Sequence, residues 1–305
     1  MQAPLLTVGE ITVFAIPEVT VAYEPSRLFK ALPPGFLHAH REHLPAWSLA
    51  EDGRLITLTF QSFLIRHAGR NILVDPCNGN HKQRPGQPHW HERNFPYLAA
   101  LNDAGLRPED IDLVLCTHLH ADHVGWNTRL QDGRWVPTFP NARYLTSDLE
   151  LAFWREASER GQALPHGEGW ADSVLPIIEA GLLDAVPANA TLGVTETSSL
   201  TLQPAAGHTP GHVHLRLQSL GSEAICVADT LHHPLQVSHP EHCLTEHDPA
   251  LALATRNKLL AHCASSGAIV VPAHFAQPGK VIDAPDGRRR FVPVCASHPG
   301  RPTAS

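Results

Sequence analysis

Thr117-His118-Leu119-His120-Ala121-Asp122-His123 is the stretch that decides the fold. It packs three imidazoles and a carboxylate into His118–His123, directly after the apolar run Ile111-Asp112-Leu113-Val114-Leu115-Cys116. A strand that empties into H-x-H-x-D-H presents several metal-ligating groups in one turn at the end of a sheet. Imidazole together with carboxylate suits zinc and its first-row neighbours. The chain holds 22 His in 305 residues, so some clustering is expected by chance. The spacing, and the partners that follow downstream, set this cluster apart.

Those partners lie in three places. Gly207-His208-Thr209-Pro210-Gly211-His212 follows the strand-like Leu200-Thr201-Leu202-Gln203-Pro204. Asp229 ends Ala224-Ile225-Cys226-Val227-Ala228, and His274 comes just after Ala268-Ile269-Val270-Val271-Pro272. Each is a ligand-capable residue at the end of a short apolar, β-branched run, the pattern of buried strands. In layered α/β proteins ligands gather at such strand ends. Four segments thus bring His118, His120, Asp122, His123, His208, Asp229 and His274 to one edge as candidate metal ligands.

In order and spacing these elements resemble the metallo-β-lactamase fold superfamily over roughly residues 55 to 280. The resemblance implies an α/β protein, a four-layer αββα sandwich with a two-metal site in the cleft between the sheets. By that pattern one metal takes His118, His120 and His208, the second takes Asp122, His123 and His274, and Asp229 bridges them. The cofactors implied are two divalent ions, Zn2+ first, with Mn2+, Fe2+ or Co2+ also suited. Two cations about 3.5–4 Å apart repel, and a shared carboxylate and hydroxide offset that repulsion. Asp122 and Asp229 are accordingly the carboxylates expected to take part in catalysis. The bridging Asp229 argues against a true β-lactamase, since members that open β-lactams usually lack it, whereas lactonases, thioesterases and phosphotriesterases of the superfamily carry it.

Composition agrees with one globular enzyme, with 43% apolar and 17% charged residues. The net charge of −7 and a single dense basic run, Arg288-Arg289-Arg290, make nucleic acid an unexpected partner, because a phosphate-tracking surface needs clustered Lys and Arg. The six cysteines form no C-x-x-C pair, which points to a reduced compartment. No apolar stretch approaches the 18 or so residues of a membrane span, and Met1–Thr7 lacks the marks of a signal peptide. The expectation is a cytoplasmic protein with a small-molecule substrate, no membrane partner, and a possible homodimer.

The coarse pattern gives strands at 56–61 and 71–75, a helix over 95–106, and a helix opened by the capping-box spacing Ser147-Asp148-Leu149-Glu150. Further strands fall at 200–204, 212–218 and 224–228, before a helix that starts at Asp248-Pro249. The domain reading is a catalytic unit over 55–295, an N-terminal extension over 1–54 that could lid the site or form a dimer contact, and a flexible tail at 296–305. Within the extension Phe36-Leu37-His38-Ala39-His40 imitates H-x-H but follows Pro33-Pro34-Gly35 and reads as a loop.

The substrate is less legible. The second half, Asp229-Thr230-Leu231-His232-His233-Pro234-Leu235-Gln236 and then Pro272-Ala273-His274-Phe275, resembles the group that contains methyl-parathion hydrolase and the N-acyl-homoserine lactonases. The lactonases tend to carry a tyrosine shortly after the bridging Asp, and here no tyrosine follows Tyr144. The implied activity is a dinuclear hydrolase in which a bridging hydroxide attacks the C=O or P=O of a small lactone, ester or organophosphate ester. A glyoxalase II-like thioesterase and a mono-iron persulfide dioxygenase-like oxidoreductase are the alternatives. Trp126, just past the motif, is expected at the cleft mouth against substrate, and His232 is expected to assist there. Asp75 is expected to brace the ligand loop rather than touch metal.

Overall fold

Alternation along the strands builds two sheets back to back. The computed structural model describes residues 3–294 except 31 and 244; the expected tail at 296–305 lies outside them. In the first half the strands are β1 (Leu6–Val8), β2 (Ile11–Tyr23), β3 (Leu49–Ala50), β4 (Leu55–His67), β5 (Arg70–Val74), β6 (Leu113–Leu115), a separate hairpin of β7 (Thr128–Gln131) and β8 (Arg134–Pro137), β9 (Arg143–Ser147) and β10 (Leu183–Val186). Outside the hairpin they form one sheet in the order β1-β2-β4-β5-β6-β9-β10, with β3 beside β4. The second sheet runs in chain order through β11 (Thr191–Val194), β12 (Ser198–Pro204), β13 (Val213–Ser219), β14 (Ser222–Ala228), β15 (Ile269–Pro272), β16 (Gly279–Asp283) and β17 (Arg289–Pro293).

Successive strand residues face opposite sides, and here both sides are covered. Ile72, Val74, Leu113 and Leu115 of one sheet meet Leu202, Leu215, Leu217 and Cys226 of the other, which makes the inter-sheet core. The residues between them, Leu73 and Val114, turn outward onto Tyr97, Leu101, Trp154 and Ile177 of the helices over the first sheet. Ile225, Val227 and Val270 turn the other way onto Leu259, Leu260 and Cys263 of helix Pro249–Ser266. The result is the four-layer αββα sandwich expected from the sequence. Both cap readings hold: Ser147 Oγ accepts from Glu150 N at 3.1 Å, and Asp248 Oδ1 accepts from Leu251 N at 3.0 Å.

Strand direction places the ligands. β5, β6 and β9 run parallel, as do β14 and β15, and β12 and β14 are both antiparallel to the intervening β13. The chain therefore leaves β6, β12, β14 and β15 at one edge, where His118, His208, Asp229 and His274 follow within a few residues.

The described residues of 1–54 depart from the reading as an N-terminal extension. β2 pairs with β4 from Thr12↔Arg66 to Tyr23↔Ile56, and Val8, Ile11 and Val13 belong to the inter-sheet core. The reason is that β2 is apolar on both faces, with Phe14 and Ile16 packed in the helix-side core. A bulge between Pro17 and Val19 shifts its register and blurs the period-2 pattern. Only the stretch between β2 and β3 keeps a covering role, laying Arg27 and Leu28 over the cavity described below. No helix among the described residues is long and apolar enough to cross a membrane.

The inter-sheet core is expected to carry most of the stability. Leu215→Ala, at a fully buried position in that core, should cost about 2–5 kcal/mol in urea unfolding. Leu149→Ala, at a side chain 60% exposed, should stay within about 0.5 kcal/mol. Equal effects would contradict the layer assignment.

Candidate metal centre

Asp229 stands between two sets of nitrogen and oxygen donors. Its Oδ2 is 3.7 Å from His118 Nε2 and 3.2 Å from His208 Nε2. Its Oδ1 is 3.2 Å from His123 Nε2 and 3.1 Å from His274 Nε2. His120 Nδ1 completes the first set, 3.1 Å from His118 Nε2 and 3.0 Å from His208 Nε2. Asp122 Oδ2 completes the second, 3.7 Å from His123 Nε2 and 3.8 Å from His274 Nε2. The groups that could hold an ion include His118, His120, His208 and Asp229 on one side and Asp122, His123 and His274 on the other, while Asp75 with His118 and His123 makes a third group that borrows one histidine from each. All seven candidates from the sequence meet here.

The donor set fits divalent cations. Ligand atoms about 2.0–2.1 Å from a tetrahedral zinc stand roughly 3.3–3.4 Å from one another, and the separations above bracket that value. His123 Nε2 and Asp229 Oδ1 are buried and have no hydrogen-bond partner. The two atoms face each other at 3.2 Å, and a cation between them would meet both.

Carboxylates outside the ligand motifs hold the loops together. Glu150 is fully buried: Oε1 accepts from Leu119 N at 3.1 Å and Trp154 Nε1 at 2.7 Å, while Oε2 accepts from Thr209 Oγ1 at 2.7 Å and Gly211 N at 2.9 Å. One side chain thereby joins the H-x-H-x-D-H loop to the G-H-T-P-G-H loop. Gly211 has to be glycine, since a Cβ there would lie 2.1 Å from Glu150 N. Asp75 braces the first loop as expected, accepting from Thr117 N and Thr117 Oγ1, both at 2.8 Å, and lying 3.1 Å from His123 Nδ1.

A cavity of about 220 Å³ opens onto this centre. Its floor is His120, Asp122, His208, Asp229, His232 and His274; Leu28, Ile56, Leu58, Phe60 and Trp90 form an apolar wall, with Tyr23, Arg27 and Gln87 also lining it. A second hollow of about 190 Å³, lined by Phe153, Trp154, Leu164 and Pro210, shares His120, His166, His208 and Thr245 with the first. His232 is where it was expected, in the cavity wall with Nε2 3.2 Å from Asp229 Oδ2. His233 instead donates to Ser48 O at 2.9 Å and is part of the packing.

Trp126 is not at the cleft mouth. It is 4% exposed, stacks on Tyr97 with ring centroids 4.9 Å apart, and donates Nε1 to Glu18 Oε1 at 2.7 Å. The backbone explains the turn: Gly125 N donates to Cys77 O at 2.6 Å and Trp126 N to Pro76 O at 2.7 Å. These bonds draw the indole into the helix-side core. No tyrosine follows Asp229, but Tyr23, at the end of β2, lines the cavity from another part of the chain. Burial, and then nearby Asp122, push its phenol pKa up, so it is a hydrogen-bond donor at neutral pH. No local motif marks it, because only the β2–β4 pairing brings it to the site.

Protonation follows the same geometry. Burial, with neighbouring imidazoles, holds His118 and His120 well below the ordinary histidine range, so both offer lone pairs. Burial works the same way on His208 but is outweighed by Asp229 and Glu246, which raise it to about 9. His123 is likewise driven up, burial being outweighed by Asp229, Asp122 and Asp75. With no cation between them these two rings would keep protons that a metal must displace. Zinc binding should therefore release protons, and its affinity should climb as pH rises from about 6 towards 9. Titration calorimetry in buffers of different ionisation enthalpy reads this directly; heats independent of buffer and an affinity flat with pH would contradict it.

Comparison with known proteins agrees with this architecture. Residues 61–274 match the family model described as the metallo-beta-lactamase superfamily. N-acyl homoserine lactonase AiiB of Agrobacterium fabrum (strain C58 / ATCC 33970) is 32% identical over 87 residues, 24% of this chain and 30% of that protein. A namesake from Rhizobium rhizogenes (strain K84 / ATCC BAA-868) matches to the same extent, so the chain spans less than a third of the curated relatives' length. Among solved structures, hydrolase AbOPH superposes with a TM-score of 0.75 at 24% identity, covering 96% of this chain and 98% of that one. AidC, a dizinc quorum-quenching lactonase, superposes with a TM-score of 0.75 at 22% identity, covering 95% and 96%. With most of its length matched and both donor sets in place, this chain belongs to the metallo-β-lactamase superfamily.

Proposed function

We propose that this protein is a hydrolase that uses two divalent metal ions, zinc foremost, to open a small neutral lactone, carboxylic ester or organophosphate ester. The observation that carries the reading is the division of Asp229, one oxygen facing each donor set. Two such ions, when bound, polarise a C=O or P=O and lower the pKa of water from 15.7 to about 7. The lactonase names of AiiB and AidC add support for a lactone.

The remaining work falls to the chain. Leu28, Ile56, Leu58, Phe60 and Trp90 hold the acyl or alkyl part of the substrate and keep bulk water away. The Trp154 hollow receives the group on the other side of the scissile bond. His232 and Tyr23 donate to the oxygen on which negative charge gathers, the task of an oxyanion hole. Asp122, part-exposed to the cavity, takes a proton from the attacking water and returns it to the leaving oxygen. Arg27 is the one Lys or Arg lining the cavity among the described residues. That favours a neutral substrate over the charged glutathione conjugate a thioesterase of the glyoxalase kind would need. The presence of two donor sets, rather than one of two His and an Asp, favours the dinuclear hydrolase over the mono-iron oxygenase.

A panel of a γ-lactone, a p-nitrophenyl ester, an aryl phosphotriester and a thioester, assayed with and without chelator, tests the reading. Turnover of a panel member that chelation abolishes is expected; turnover that survives complete chelation would overturn it. His232→Gln should lower kcat by on the order of 10²–10³-fold with metal content retained. An unchanged kcat would remove His232 from the assignment.

A further inference from the structure

His208 turns Nε2 to the centre, which leaves Nδ1 on the far side of its ring. That Nδ1 lies 3.1 Å from Glu246 Oε2, and the other oxygen of the carboxylate accepts from Arg256 Nη2. The three side chains are 2%, 3% and 2% exposed in that order. Arg256 also donates Nε to Thr230 O and Nη1 to Pro240 O, each at 2.7 Å. One buried guanidinium thus pins the residue after Asp229, the middle of the loop that follows, and Glu246. The backbone agrees, since His247 N donates to His208 O at 3.1 Å and Asp248 N to Gly207 O at 2.9 Å.

The other donor set has its own carboxylate, Asp75, 3.1 Å from His123 Nδ1, but that one is tied to the neutral Thr117. His208 Nδ1 is thus hydrogen-bonded to its carboxylate, whereas His123 Nδ1 has Asp75 nearby but no hydrogen-bond partner. A carboxylate that accepts the far N–H of a ligating imidazole fixes its tautomer, aims its ring and raises its basicity. A forked guanidinium behind the carboxylate fixes the carboxylate in turn.

Resting on the two-ion reading above, we propose that Glu246, held by Arg256, is a positioning residue that sets the grip of the His118–His120–His208 half on its ion, separately from the Asp122–His123–His274 half. Removing its charge loosens one ion and leaves the other.

The test is chelator competition on the zinc-loaded full chain, with metal release followed by elemental analysis. Glu246→Gln should give up one ion at about 10–100-fold lower chelator concentration than the wild type, with the second ion released as before. Asp75→Asn should weaken the other ion. Cobalt-loaded E246Q should show an altered visible spectrum for one site only. The exposed Glu241→Gln should leave both release steps unchanged. If E246Q fails to fold, Arg256→Lys, which keeps the cation and loses the fork, is read in the same way. Both ions loosening together, or neither, would overturn the brace. A wild-type chain that binds no ion would overturn the two-ion reading along with it, whereas two bound ions indifferent to E246Q would overturn the brace alone.

Discussion

Five imidazoles and two carboxylates point their donor atoms into one small buried space. His118 Nε2 and His208 Nε2 both come within 3.0–3.1 Å of His120 Nδ1, so the three donors surround one point where a cation can replace the ring protons. Nearly every feature around the centre serves that convergence. Parallel strand directions bring β6, β12, β14 and β15 out at one edge, and the two sheets pack so that ligands from both halves face each other. Buried polar atoms such as Asp229 Oδ1 stay without hydrogen-bond partners, a cost a fold keeps where function needs it.

Convergence of loops from separate strands needs ties that side-chain packing alone does not supply. Glu150 is the central tie. Burial pushes its pKa up, yet four donors from three segments converge on it. Asp75 and Glu246 act one layer behind the ligands, and Glu18 gathers Asn78, Gly79 and Trp126 beneath the first loop. The centre is thus supported by buried acids, each satisfied by N–H or O–H groups, so the ligand loops hold their shape before any ion is considered.

Legibility in the sequence followed locality. H-x-H-x-D-H, G-H-T-P-G-H and the strand-end Asp229 and His274 are visible because each ligand sits at the end of an apolar run, and direction alone then brings them together. β2 was hidden because its residues are apolar on both faces and its register slips at Pro17–Val19. The placements of Tyr23 and Glu246 are not legible because they come from tertiary pairing: β2 on β4 for one, a loop fixed by Arg256 for the other. Trp126 misled for a related reason. Trp126 is near His123 in sequence but not near the cavity, because Gly125 and the 76–79 loop turn it into the core.

The cavity is consequently a product of distant segments, with β2 and the covering stretch after it on one wall and the loop after Asp229 on the other. The central claim beneath it is that Asp229 separates two cations. Anomalous diffraction at the zinc edge, on crystals of protein purified without added metal and then supplied with zinc, tests that most directly. The account predicts two peaks about 3.5–4 Å apart on either side of the Asp229 carboxylate. A single peak bound by His118, His120 and His208, with His123 hydrogen-bonded to Asp229 in place of a second ion, would contradict it.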